Sequence, residues 1–181
     1  MKEQYTLTVY TEDQMGLINK IAIMFFRKKI NLKSLNISSC EIDKMYRFTI
    51  VVNETFEIVK NLTFQIEKII DVFRCYYNTE HEIICTQVAL YKVSTEMIMK
   101  EGKINHLMRQ YNARFTIIEK DYTVFEVMGK ENEIDNLTAA LKRLGLVEFI
   151  KSSTIALIKS GEGFGKELLE IEKNNQYNQQ L

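Results

Sequence analysis

The order strand, helix, strand, strand, helix, strand can be read twice along this 181-residue chain, and it predicts an α+β fold of two ferredoxin-like βαββαβ units in tandem. Three observations carry the prediction. Apolar residues alternate with a period of two in the strand-like stretches, recur on one face in the helix-like stretches, and polar breaks separate the two kinds of segment.

In the first unit Tyr5, Leu7 and Val9 alternate with Thr6 and Thr8, as in a half-buried strand. After Glu12-Asp13-Gln14, the residues Leu17, Ile18, Ile21, Met24 and Phe25 share one face of a helix. Asn31 leads into a second strand through Leu35 and Ile37, a polar turn spans 40–44, and Phe48, Ile50 and Val52 mark a third strand. Ile58, Val59, Leu62, Ile66 and Ile69 line a second helix, and 70–77 closes the unit as a strand rich in β-branched and aromatic residues. The second unit repeats the order. Residues 84–93 are strand-like, Ile104, Leu107, Met108 and Tyr111 form a helical stripe, and 114–118 with 122–128 read as a hairpin. Ile134, Leu137, Leu141 and Leu144 give a last helix, stopped by Gly145 at the usual C-terminal position, and 147–158 returns as a strand. The predicted boundaries are 1–79, 80–165 and a polar tail, 166–181, expected to be disordered.

Composition narrows the function. Twenty-four basic residues balance 24 acidic ones, which argues against a nucleic-acid partner, because phosphate-backbone affinity needs clustered Lys and Arg. The βαββαβ order also builds base-stacking RNA binders, for which Tyr46 and Phe48 are the available rings, but the basic aromatic consensus is missing. No run of about 20 apolar residues could span a bilayer, and residues 1–10 lack a signal-peptide apolar stretch, so the expected location is the cytoplasm with no membrane partner. Cys40, Cys75 and Cys85 are an odd, scattered set, read as structural thiols.

No catalytic constellation emerges. His81 and His106 are read as solvent-facing, and with three scattered cysteines they make no metal-ligand spacing. Gly161-Glu162-Gly163-Phe164-Gly165-Lys166 has lysine where a dinucleotide fingerprint needs its third glycine, and it follows the last strand instead of opening a βαβ unit. It reads as a flexible exit segment.

Gly16 stands out. The chain has no proline, and six of its seven glycines lie at or after position 102, so Gly16 is alone in the first 101 residues, where strand one hands over to helix one. A glycine there permits a tight turn and close approach of another group. The N–H groups near Gly16, Leu17 and Ile18 then carry the positive end of the helix dipole and can hold a carboxylate. A steric turn without a ligand is the alternative reading.

The stretches 12–21 (Glu-Asp-Gln-Met-Gly-Leu-Ile-Asn-Lys-Ile) and 25–35 resemble the opening of the ACT domain in the regulatory (small) subunit of acetolactate synthase. Residues 47–52 look like that family's third strand, and 65–72 like its second helix running into strand four. The resemblance implies an N-terminal ACT domain followed by a C-terminal ferredoxin-like domain. It also implies a noncatalytic chain that activates a separate catalytic (large) subunit carrying thiamine diphosphate, FAD and Mg²⁺, with no cofactor on this chain. In that family a branched-chain amino acid, usually valine, binds between two ACT domains and mediates feedback inhibition. Carried over, the effector site comprises Asp13, Gly16, Leu17 and Ile18 of one chain with Asn31 and Leu32 of its homodimer partner. Leu17, Ile18 and Leu32 would form an apolar wall for an aliphatic side chain. Asp13 is a departure, because the family commonly has asparagine there; a carboxylate offers no donor and repels a ligand carboxylate. A stand-alone amino-acid-sensing module acting on another enzyme or regulator is the second reading.

Overall fold

The computed structural model describes residues 1–12, 16–100, 102–161 and 163–170. They form two compact units, one of 1–84 together with the chain from Ala156 onward, the other of 85–155. The first contains β1 (Glu3–Glu12), α1 (Leu17–Arg27), β2 (Leu32–Ser39), β3 (Met45–Glu54), α2 (Phe56–Glu67) and β4 (Val72–Thr79). Its antiparallel sheet has the order β2-β3-β1-β4, so the first and third strands are central and the second and fourth are edges.

Alternation decides which side chains meet the helices. Tyr5, Leu7 and Val9 of β1 pair in register with Val52, Ile50 and Phe48 of β3. All six pack in one core with Leu17, Ile21 and Phe25 of α1 and Val59, Leu62 and Ile66 of α2. Phe48 is buried there and Tyr46 packs against the same cluster, so neither ring forms a base-stacking platform on the sheet's other face. Two positions expected on buried helical faces point outward instead: Ile18 is 46% exposed and Ile58 39%. The i, i+4, i+8 row of Leu17, Ile21 and Phe25 fills the available depth above the sheet.

The second unit repeats the topology. It holds β5 (Ile83–Ser94), α3 (Thr95–Lys100), α4 (Gly102–Gln110), β6 (Arg114–Ile118), β7 (Tyr122–Gly129), α5 (Glu131–Leu144) and β8 (Leu146–Lys151), with the sheet order β6-β7-β5-β8. Ala89, Tyr91, Val93, Phe125 and Val127 pack on Ile104, Met108, Ile134, Leu137 and Leu141. The Tyr91 hydroxyl, buried at the centre, donates to the Ile134 carbonyl and bonds Thr138 Oγ1, each at 3.1 Å. The helix α3 was not anticipated from the sequence.

The final predicted strand, 147–158, is two strands: β8 and β9 (Ile155–Ile158). Ser152 makes the break. Its hydroxyl accepts the Val88 N–H at 3.0 Å while its own N–H donates to the Val88 carbonyl at 2.8 Å, which ends the regular ladder. The β9 strand pairs with β5, whose first two residues belong to the first unit, and Lys159 N–H donates to the Glu82 carbonyl at 2.9 Å. The chain from Ala156 therefore belongs to the first unit, whereas the sequence reading ended that unit at residue 79. Residues 164–170 are helical where a disordered tail was expected from 166, because Phe164, 3% exposed, anchors them on Tyr10 and Met45. Residues 171–181 lie outside the described residues.

Candidate functional site

The end of β1 is pinned before α1 begins. Thr11 Oγ1 donates to the Asp71 carbonyl at 2.7 Å, the Glu12 N–H donates to the same oxygen at 3.2 Å, and Lys20 Nζ pairs with Asp71 Oδ2 at 3.0 Å. Gly16 takes the cap position of α1, and its carbonyl accepts the Lys20 N–H at 3.1 Å. Gly16 itself has no side chain to cap the terminus, and no acidic residue lies in the helix's first turn. The first-turn N–H groups have no partner inside the helix and carry the positive end of its dipole, where an acceptor is favoured.

The backbone at Gly16 is ordinary, with φ −75° and ψ −15°, so the turn does not require glycine. Among the described residues outside its own stretch of chain, no atom lies within 4 Å of the position a Cβ would take. What the missing side chain supplies here is approach to the helix terminus.

The sequence-predicted residues divide between two places. Ile18, half exposed, flanks Gly16 at the start of α1. Leu17 also sits there, but its side chain is fully buried in the core, so it offers a site its N–H and no apolar wall. That part of the expectation is corrected: the first helical position turns inward because it begins the buried Leu17-Ile21-Phe25 row. Asn31 and Leu32 lie at the start of edge strand β2, both exposed, Leu32 at 45%. The 11 residues of α1 span about 16 Å, and the two groups lie at its opposite ends. One protomer cannot close them on a single small ligand. Asp13 lies outside the described residues.

Elsewhere the chemistry is quiet. His81 and His106 are exposed, and among the described residues no three His, Cys, Asp or Glu side chains gather as metal ligands. Burial pushes the Cys75 thiol up to about 12, the opposite of an activated nucleophile. Edge strand β4 is closed to another strand along part of its length, since Glu67 Oε1 accepts the Cys75 N–H at 3.1 Å and Glu82 Oε2 accepts the Thr79 N–H at 2.7 Å. Sequence reasoning missed a concavity of about 1010 Å³ within the first unit, lined by Tyr10, Arg47, Arg74, Tyr76, Asn78 and Phe164 among others. Its only sequence signal was the spacing of Phe164 and Glu167 in a segment read as an exit.

Comparison with known proteins accounts for both units. A profile described as the AHAS small subunit-like ACT domain matches residues 7–74, and one described as the small subunit of acetolactate synthase matches 86–160. The acetolactate synthase small subunit of Bacillus subtilis is 30% identical over 160 residues, covering 88% of this chain and 91% of its own. That of Mycobacterium leprae is 28% identical over 163 residues, covering 89% and 95%. The crystal structure of the acetolactate synthase small subunit from Thermotoga maritima superposes with a TM-score of 0.78 at 16% identity, covering 88% of this chain and 99% of that one, and shows the same fold. Among the described residues no helix is long and apolar enough to cross a membrane.

Proposed function

The chain belongs to the acetolactate synthase small-subunit family, and from that premise we propose that it binds a separate catalytic large subunit, raises its activity and confers feedback inhibition by a branched-chain amino acid. Thiamine diphosphate, FAD and Mg²⁺ belong on that catalytic partner in this reading. The setting is cytoplasmic, in keeping with three cysteines that are all free thiols.

The observation that carries the effector reading is the approach at Gly16, open among the described residues, at a helix terminus whose cap position bears no side chain. The amino acid's carboxylate accepts the first-turn N–H groups, Ile18 and Leu32 flank its aliphatic side chain, and the Asn31 amide meets its polar end. Because Gly16 and Asn31 lie at opposite ends of α1, two chains related by a two-fold axis must share each site, one giving Gly16, Leu17 N–H and Ile18, the other Asn31 and Leu32. The β2 edge of the sheet is where two ACT domains would meet. Asp13, where an amide is common in the family, weakens the carboxylate contact and favours the ligand's ammonium, so Asp13→Asn should tighten valine binding.

Reconstitution tests the subunit reading. Adding the chain to its catalytic subunit should raise acetolactate formation, and the coupling between effector and catalytic sites should be about 1–3 kcal/mol. Absence of a complex, with activity unchanged, would overturn it. Copurification with an enzyme that lacks thiamine diphosphate would instead favour a stand-alone amino-acid sensor.

A further inference from the structure

The chain continues beyond residue 160, where the family profile stops, and its next described residues turn back onto the first unit's own sheet. Gly161 and Gly163, at φ +103° and +85°, make the bend, and 164–170 is helical. Phe164, Glu167 and Leu168 share one face of that helix at i, i+3 and i+4. The Phe164 ring stacks on Tyr10 with centroids 4.1 Å apart and 16° between planes, inside a cluster with Met45. Glu167 pairs with Arg74 Nε at 2.9 Å and accepts a hydrogen bond from the Tyr76 hydroxyl, while Leu168 packs at the edge of the cluster.

This cover fits its seat incompletely. The concavity of about 1010 Å³ remains at the contact, and Arg47 Nε and Asn78 Oδ1, both lining it, are buried without a hydrogen-bond partner. Each such group leaves part of its desolvation uncompensated. Leu169 on the same helix is 56% exposed. The contact is one that a better-matched segment can displace.

We infer that the corner of the first unit's sheet formed by Tyr10, Met45, Arg74 and Tyr76 is a docking seat for a short amphipathic helix of a partner protein, one presenting an aromatic ring and, three residues on, a carboxylate, and that residues 163–170 are its built-in competitor. Tyr10 and Met45 receive the ring, and Arg74 with Tyr76 receives the carboxylate. Arg47 and Asn78 offer a donor and an acceptor that the present occupant leaves unused. The intramolecular cover acts at a high effective concentration through its short glycine hinge, so only a longer or better-paired partner helix displaces it.

The probe is a fluorescein-labelled peptide of residues 161–170, followed by anisotropy against the full chain and against the chain truncated after Ser160. The peptide should bind the truncated chain and bind the full chain about tenfold or more weakly. Phe164→Ala or Glu167→Gln in the peptide, or Arg74→Ala in the truncated chain, should weaken binding by about tenfold. Equal binding to both chains, or indifference to these substitutions, overturns the seat. Should truncation unfold the chain, the full-length Phe164→Ala variant replaces it and must take up the peptide more tightly than the unsubstituted chain; equality overturns the proposal. Light scattering that shows a larger assembly of the full chain, abolished by truncation, would assign the seat to a second copy's own segment and overturn a partner-protein occupant.

Discussion

At Gly16 the backbone conformation is one that any residue adopts and the space around it is open among the described residues, so substitution there separates folding from binding. Gly16→Ala should fold normally and gain about 0.4–1 kcal/mol from reduced unfolded-state freedom, while lowering effector affinity. Gly16→Asp should also fold, yet abolish binding by filling the approach and adding negative charge. Calorimetric titration with valine, alongside thermal melts, checks both; loss of binding accompanied by unfolding would contradict the reading. Cys75 gives a second residue-scale prediction. Its ordinary value is 9.0, and burial raises it to about 12 in the native chain, with Thr63 opposing and Glu67 adding to the rise. Between those values the unfolded chain has released the proton and the folded chain has not, so stability is intact below about pH 9 and falls as pH rises towards 12, by at most about 4 kcal/mol. Cys75→Ala should flatten that part of the alkaline denaturation curve. In the native protein a thiol reagent should leave Cys75 unmodified.

Turns show how secondary elements end in a chain without proline and with little glycine. Lys29, Lys44 and Asn112 hold positive φ after α1, in the β2–β3 turn and after α4, where glycine is the commoner choice. Among the described residues, α5 alone ends on glycine in the left-handed region, Gly145 at φ +100°, with its N–H donating to the Leu141 carbonyl. A Cβ there would lie 2.7 Å from Met97 Sδ, the movable part of a flexible side chain, so the backbone conformation sets most of the cost. Gly145→Ala should destabilise the protein by about 1–2 kcal/mol, read from chemical denaturation. That stop was legible in the sequence because it depends on one local dihedral. The outward turn of Ile18 was not, because a stripe of apolar residues does not say which edge of it meets the sheet. The inward turn of Leu17 removed an apolar wall from the candidate site for the same reason.

For the whole molecule, the chain order and the packing order differ. The first unit takes back the chain from Ala156 after the second is complete, through the Ala156 carbonyl accepting from Arg47 Nη2, the Phe164–Tyr10 stack and the Glu167–Arg74 pair. Truncation after Ile155 should therefore lower the melting transition of the first unit, at about 4–8 °C per kcal/mol lost, and leave that of 85–155 in place. Hydrogen exchange resolved by peptide distinguishes the two, and equal loss of protection in both units would contradict it. At this scale the proposed effector site also needs more than one protomer, since Gly16 and Asn31 lie at opposite ends of α1. Ultracentrifugation should show a dimer, and a monomer at concentrations that bind effector stoichiometrically would contradict the shared site.

The sequence by itself determined the repeat, the strand and helix types and the place where the first helix begins, because these follow from local periodicity and turn chemistry. It also carried enough of the ACT opening, in 12–21 and 25–35, for the family to be read from it. Only the tertiary structure decided that Leu17 faces inward, that Ser152 breaks the last strand and that 164–170 folds back on Tyr10. Each depends on a partner far along the chain: the core above the sheet for Leu17, Val88 for Ser152, Tyr10 and Arg74 for the C-terminal helix. Periodicity records a residue's own preference, whereas burial and pairing depend on what the rest of the chain brings beside it.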